Sequence, residues 1–477
     1  MNKILLLFAV IILEGYAVLS AEMLAIRQTI PFVGSGTDTF AIIIAAVLMP
    51  LAFGYYAGGK TGLRTLNGAY LSVRNRLLKN ILISHVIFVI GLSYLPVSMF
   101  FFGFNDMGIT NRLVLTAIYS VIFLSVPVFL LGQTIPLISN YFSKEKLSRI
   151  TGRILFFSTF GSFAGAVLPS ILLMTTIGVG MTIVVLSCVM SILALLLSKK
   201  KTSKMVLGSI FLTGLTFIVN SPTTMKSMNI VDDNRYNTVM VVQDAAENRH
   251  MILNLTASSM YNDRGEKHKY IEFLERATLT NIPNDKPMDI LVIGAGAFTY
   301  GIDDNFNNYH FIDMDGSLQK IAEEYILRKR LGPNKHFHVA EARAFLAADT
   351  RMYDVIILDA YNGDLTLPEN LVTREFLETV RKHLKPGGVV AGNYIASPNF
   401  LTPFSRHIDN TIRSVFPHVS RHVIDEDYRV WERDPRFIAN IIYIYKNNPD
   451  ENAYEIYTDD RNRVFLDKPH ARSPSQQ

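Results

Sequence analysis

Five short segments between Asp289 and Tyr394 hold the residues best suited to chemistry: DILVIGAGAFTYG, FIDMD, HVAEARAFL, YDVIILDAYNG and LKPGGVVAGNY. Each carries an apolar, β-rich run next to a glycine or an acid. Gly294 and Gly296 follow the first run, Asp313 closes the second with Asp315 two residues on, Glu341 and Ala342 follow the third, and Asp359 follows the fourth. In an open parallel sheet, ligands bind beyond the carboxyl ends of the strands, so Asp313, Glu341 and Asp359 are expected along one crevice. Glycines in the first turn let backbone amides approach a ligand at a helix amino terminus. An acid about twenty residues later can accept both hydroxyls of a ribose. The chemistry is that of a nucleoside site. The loop GAGAFTYG departs from GxGxxG, since position 299 is Thr and the next glycine is Gly301, which argues against a dinucleotide.

The elements that must position these residues follow from the same pattern. Strands alternate with helices expected at about 316–330, 369–384 and 400–415, and late strands are expected near 418–424 and 437–445. Ahead of them, NTVMVVQD and RHMILNLT flank the polar turn AAEN and read as a β-hairpin, followed by a helix over Lys269–Thr278. Taken singly, Asp313 and Asp315 fit strand-end caps and Asp359 an amino-cap. At successive strand ends together they fit a site better.

Everything before about residue 220 has another texture. The 477-residue chain is 49% hydrophobic and only 18% charged, with a mean hydropathy of +0.24, too apolar for an ordinary soluble protein. A bilayer crossing needs roughly 20 apolar residues. Candidates lie near 4–21, 38–58, 80–103, 112–133, 154–176, 179–198 and, short and rich in Gly, Ser and Thr, 205–220. Glu14 and the spans that follow favour an uncleaved first helix over a signal peptide. Glu14 reads either as a group facing the bundle interior or as a helix-end carboxylate. GYYAGG (Gly54–Gly59) and GSFAGA (Gly161–Ala166) would let helices approach closely, and GQTIP (Gly132–Pro136) reads as a helix terminus. The basic residues of this half cluster between spans, which explains the pI near 9.0 by cytoplasmic retention and excludes nucleic acid as the expected partner. Six spans with the amino terminus inside satisfy the charge pattern. If 205–220 also crosses, the nucleoside domain lies outside; if it is re-entrant or interfacial, the domain stays inside. The single cysteine, Cys188, lies in an apolar run, so neither a disulfide framework nor a thiolate metal site is expected.

The expected architecture is a multi-pass α-helical membrane domain of six or seven helices (1–220), a small β-hairpin subdomain with a linking helix (221–285), a class I methyltransferase-like (Rossmann-like) α/β domain (286–447) and a polar tail (448–477). YIE (Tyr270–Glu272), GAG, FIDMD, HVAEARAFL, YDVIILDAY and PENLVTREFL, preceded by the hairpin, together resemble the spermidine synthase (polyamine aminopropyltransferase) family over about half the chain. Membrane-fused bacterial relatives resemble it over the full length. The resemblance implies Gly294 and Gly296 beside the aminopropyl end of a sulfonium nucleoside, and Asp313 on the ribose with Asp315 close by. It also implies that Glu341 and the Ala342 backbone read the adenine. Asp359 matches the first acid of the family's DSSDP motif, which orients and deprotonates the attacking amine, and Tyr270 matches a tyrosine that closes over the pocket. Three departures stand: Asn362 replaces the motif's second acid, with Asp364 two residues later; the loop lacks GGGDGG; and EDYRVWERDPR (Glu426–Arg436) stands where the family has a YPTYPSG-like segment.

The resemblance thus implies a membrane-bound transferase that moves an aminopropyl group from decarboxylated S-adenosylmethionine, a co-substrate rather than a tightly bound cofactor, to an amine such as putrescine. Its partners would be the small amine and the lipid bilayer, with a homo-oligomer left open. Two alternatives remain at this point: an S-adenosylmethionine-dependent methyltransferase acting on a membrane-presented substrate, and a transporter or scaffold whose domain senses a nucleoside without catalysis.

Overall fold

The computed structural model describes residues 3–62, 69–139, 147–199, 203–280, 285–361, 367–424, 434 and 437–447. Asn362, Asp364, nearly all of Glu426–Arg436 and the tail after Asn447 lie outside the described residues. Its first half is a helical bundle: α1 (Lys3–Val33), α2 (Thr37–Gly62), α3 (Ala69–Leu92), α4 (Tyr94–Asp106), α5 (Arg112–Ser139), α6 (Ser148–Thr176), α7 (Gly178–Leu197) and α8 (Lys204–Val219). Among the described residues, six of these helices are long and apolar enough to cross a membrane, and α8 is a shorter apolar helix. Large apolar side chains such as Phe53, Phe156, Phe163 and Phe211 face outward, as a lipid solvent would require.

α1 runs without a break through AVLSA and is packed inside the bundle, with Glu14 only 2% exposed. The interior alternative for Glu14 is therefore the one realised. Both small-residue runs serve close packing. A Cβ on Gly161 would lie 2.1 Å from the Ile12 carbonyl oxygen, and one on Gly54 would lie 2.5 Å from that of Phe129. The expected span at 80–103 is corrected. The chain leaves the helix at Ser93, which is extended (φ −73°, ψ 137°), and restarts as α4, whose first turn holds Pro96. Proline is tolerated there because the first-turn amides have no intrahelical acceptor.

The hairpin expected before the α/β region is the centre of a four-stranded antiparallel sheet: β1 (Ile230–Asp233), β2 (Thr238–Gln243), β3 (Arg249–Leu253) and β4 (Thr256–Tyr261), in that order. Seven strands then form the main sheet: β5 (Asp289–Ile293), β6 (Asn308–Asp313), β7 (Lys335–Val339), β8 (Tyr353–Leu358), β9 (Leu384–Ala396), β10 (Ser420–Val423) and β11 (Ala439–Lys446). Their spatial order is β10-β11-β9-β8-β5-β6-β7, parallel from β9 to β7, with β11 antiparallel to β9. The order reverses direction between β5 and β8, and a doubly wound sheet opens its ligand crevice at such a switch point. β5 and β8 are buried on both faces, which is why they read as continuous apolar runs.

Candidate active site

A cavity of about 380 Å³ opens at that switch point. Gly294, Gly296, Asp313, Glu341, Ala342, Asp359 and Tyr270 all line it. Seven of the eight residues expected from the sequence are thus brought together.

The glycine turn is fixed by sterics. Gly294 has φ +95°, and a Cβ there would stand 2.2 Å from the Asp359 carbonyl oxygen. Gly296 has φ +48°, and its Cβ would meet the Ser259 hydroxyl at 2.7 Å. That hydroxyl accepts the Ala297 amide at 2.9 Å, so the small antiparallel sheet forms one wall.

Asp313 ends β6 and accepts the amides of Ala295 (3.1 Å) and Asp315 (3.0 Å). Burial pushes its carboxyl up to about 6, while the amide bonds pull the other way. Asp359 ends β8. Its two oxygens accept from Tyr270 Oη at 3.0 Å and Asn393 Nδ2 at 2.9 Å. Burial is the largest influence on this carboxyl and raises it to about 7, with the two donors opposing. Burial and the neighbouring Asp359 charge hold the Tyr270 phenol well above its ordinary value, so it remains a donor.

Glu341 caps helix Ala342–Ala348, one oxygen accepting the Ala344 amide at 2.8 Å and the other Asn370 Nδ2 at 2.9 Å. Asp315 stands apart. It does not line the cavity; it is 2% exposed, and its carboxylate accepts from Asn234, Asn237 and Ser317 and lines a second cavity between the α/β unit and the bundle. The resemblance puts Asp315 close by Asp313, and its amide does meet that carboxylate, but the chain turns after Asp313 and the Asp315 side chain lines the second cavity instead.

Several lining residues have no counterpart in the sequence reading: Ser259, His268, Tyr361, Asn393 and Asn440. Tyr361 donates to the Asn393 carbonyl at 3.0 Å and fixes the strand beneath it. Three buried atoms on this wall, Asn393 Oδ1, Asn440 Oδ1 and His268 Nε2, have no hydrogen-bond partner among the described residues. Burial and the nearby His250 lower the His268 pKa and keep its ring neutral. A buried polar atom without a partner costs roughly 1–3 kcal/mol, a cost that a bound N–H donor removes. The one signal available in sequence was the lone asparagine inside each of two apolar strands, VVAGNYIA and ANIIYIY.

The arrangement combines a glycine turn, a carboxylate one strand away, and a second carboxylate facing them with a near-neutral pKa. It can hold a nucleoside against the turn, and it can attract and deprotonate a cationic nitrogen. Among the described residues no cluster of His, Cys, Asp and Glu could hold a metal ion.

Residues 268–424 match the family model described as the spermine/spermidine synthase domain. The polyamine aminopropyltransferase of Vibrio vulnificus (strain CMCP6) is 29% identical over 163 residues, covering 33% of this chain and 52% of the relative. That of Oceanobacillus iheyensis is 25% identical over 295 residues, 56% of each chain. The chain spans about half the length of the curated relatives it matches. The crystal structure of a probable spermidine synthase from Corynebacterium glutamicum is 21% identical, with a TM-score of 0.38, covering 47% of this chain and 79% of that one.

Proposed function

We propose, for a chain whose residues 268–424 carry a spermidine synthase domain, that it is a membrane-bound aminopropyltransferase using decarboxylated S-adenosylmethionine and a small amine such as putrescine. The observation that carries this reading is Asp359: a buried carboxyl raised to about 7, held between Tyr270 and Asn393, across from the glycine turn. The six long apolar helices support membrane attachment.

In this reading Gly294 and Gly296 give the donor's sulfonium arm room to approach, Asp313 holds the ribose hydroxyls, and the Ala342 backbone with Glu341 borders the adenine. The amine enters as an ammonium, drawn to Asp359, and loses a proton to it. The freed nitrogen lone pair attacks the aminopropyl carbon attached to sulfur. The N–C bond forms, the C–S bond breaks, and its electron pair stays on sulfur as a neutral thioether nucleoside. Placement in line supplies much of the rate, since the sulfonium is already a good leaving group. Asn393 Oδ1 and Asn440 Oδ1 are acceptors without partners among the described residues, which suits N–H groups of the amine.

The test is turnover by the purified full-length protein, with products separated by mass spectrometry. Decarboxylated donor plus putrescine should give the aminopropylated amine and the thioether nucleoside in equal amounts. Tighter binding of S-adenosylmethionine, with methyl transfer, would replace this reading by a methyltransferase. Binding of neither nucleoside would remove both.

A further inference from the structure

The structure assigns the catalytic domain to the extracytoplasmic face of the membrane, an inference independent of which group is transferred. It rests on the path of α8 and on where the basic residues fall.

α8 begins at the end of the bundle where α3 starts and α7 ends. There Ser203 and Ser198 hydroxyls are 3.0 Å apart, and Arg74 donates to the Leu197 carbonyl. It finishes at the opposite end, where Asn220 Nδ2 donates to Ser93 Oγ at 2.9 Å and a Cβ on Gly180 would lie 3.0 Å from the Asn220 carbonyl oxygen. In between, Ser209 meets His85 at 2.9 Å, Thr213 donates to the Ser187 carbonyl at 3.1 Å, and Thr216 meets the Ser187 hydroxyl at 3.2 Å. Hydrogen bonds at successive levels along α3 and α7 are those of a helix packed lengthwise against the bundle by its Ser209–Thr216 face, with Leu207, Phe211 and Ile218 on its outward face. A re-entrant or surface helix would not reach all of them. Its sixteen residues rise about 24 Å, and its serines and threonines, which made it look a poor span, find partners within the bundle.

The antiparallel sheet docks at the end α8 reaches. Arg27 of α1 pairs with Asp233 at 3.0 Å, and Tyr94, Met225 and Ile230 form a common apolar cluster with Phe32 packed against it. The charge falls in the connections between the other helix ends. Of the described residues, Lys60, Arg74, Arg76, Lys79, Arg149, Arg153, Lys199 and Lys204 flank those ends, and the sequence joining them adds five more lysines and arginines, whereas 27–38, 93–112, 177–178 and 220–229 hold three, one of them the ion-paired Arg27. Lysine and arginine in short connections stay on the cytoplasmic side. The cleft is therefore loaded from outside, and on the proposed function its sulfonium nucleoside must be delivered to that face.

Cysteine labelling in intact spheroplasts tests this. The full chain carries Cys188→Ser together with one of Arg264→Cys, Lys382→Cys or Ser148→Cys, all at exposed positions, and meets a membrane-impermeant maleimide. Variants are scored only if they label after solubilisation. Arg264→Cys and Lys382→Cys should react at least tenfold more than Ser148→Cys before lysis, and Ser148→Cys should react only after it. The reverse order, equal labelling of all three, or protection of both domain positions until lysis would overturn the assignment. None of these readouts depends on catalysis, so failure here is distinct from failure of the aminopropyl reading.

Discussion

Asp359→Asn separates the chemistry of the site from its architecture, because the structure sets opposite signs for its effects on rate and on stability. The native carboxyl is raised from 3.8 to about 7 by burial. Between those values the folded protein binds a proton that the unfolded chain has released. Stability from this group is therefore fully present below about pH 4 and is lost as pH rises to about 7. Three pH units at about 1.36 kcal/mol each bound the cost at roughly 4 kcal/mol. Solvent reaching the carboxylate through the cavity reduces it to roughly 2 kcal/mol. Asparagine carries no charge at any pH and can still meet Tyr270 and Asn393. The variant should then be about 2 kcal/mol more stable than the native protein at pH 8 and equal to it near pH 4, as read from thermal melts at the two values. Turnover should fall 10²- to 10⁴-fold through loss of the proton acceptor, while nucleoside affinity by calorimetry changes less than threefold. The native rate should decline as pH falls through about 7, and the residual rate of the variant should not. Turnover within tenfold of native, or a variant less stable at pH 8, would refute the assignment of Asp359 as a strained, near-neutral base.

Other substitutions probe the supports of the site. Gly294→Ala places a Cβ 2.2 Å from the Asp359 carbonyl oxygen at φ +95°; it should cost about 3 kcal/mol in melts and abolish nucleoside binding. Tyr270→Phe removes a 3.0 Å donor that lowers the Asp359 pKa, so the acidic limb of the pH–rate profile should move upward, with kcat about tenfold lower at pH 7. Arg27→Gln leaves Asp233 buried without its cation and should destabilise docking by about 3–5 kcal/mol, seen as faster proteolysis at Ser221–Asn229 in membranes.

The chemistry-bearing half was readable because strands buried on both faces, such as β5 and β8, are written as apolar runs, and Gly294, Asp313 and Asp359 each stand at a strand end and line the cavity. That rule found Gly294, Asp313 and Asp359 from sequence alone. It does not reach Asp315, which the resemblance alone implies and which lies past the strand end, with partners Asn234 and Asn237 about 80 residues earlier in the chain. It was silent on Asn393 and Asn440, whose side chains leave the interiors of strands, and on Ser259, which comes from another sheet. In the bundle, hydropathy located the long helices but undervalued α8. A hydropathy sum counts each hydroxyl as exposed to lipid, whereas here Ser209, Thr213 and Thr216 bond to neighbouring helices.

These supports join the two halves of the molecule. Arg27 of α1 donates to the Asn234 carbonyl at 2.6 Å; Asn234 Nδ2 donates to Asp315 at 3.0 Å; the Asp315 amide donates to Asp313 at 3.0 Å; and Asp313 accepts the Ala295 amide of the glycine turn at 3.1 Å. The carboxylate proposed to hold the ribose is thus oriented by a turn that the first helix of the bundle helps to fix. Contiguity alone does not establish coupling. A double-mutant cycle does: Arg27→Gln and Asp315→Asn should each weaken nucleoside binding about three- to tenfold. The double variant should be no worse than the poorer single, a coupling of at least 0.5 kcal/mol. Strictly additive losses would mean that α1 only tethers the domain, and that Asp313 keeps its geometry by the glycine turn alone.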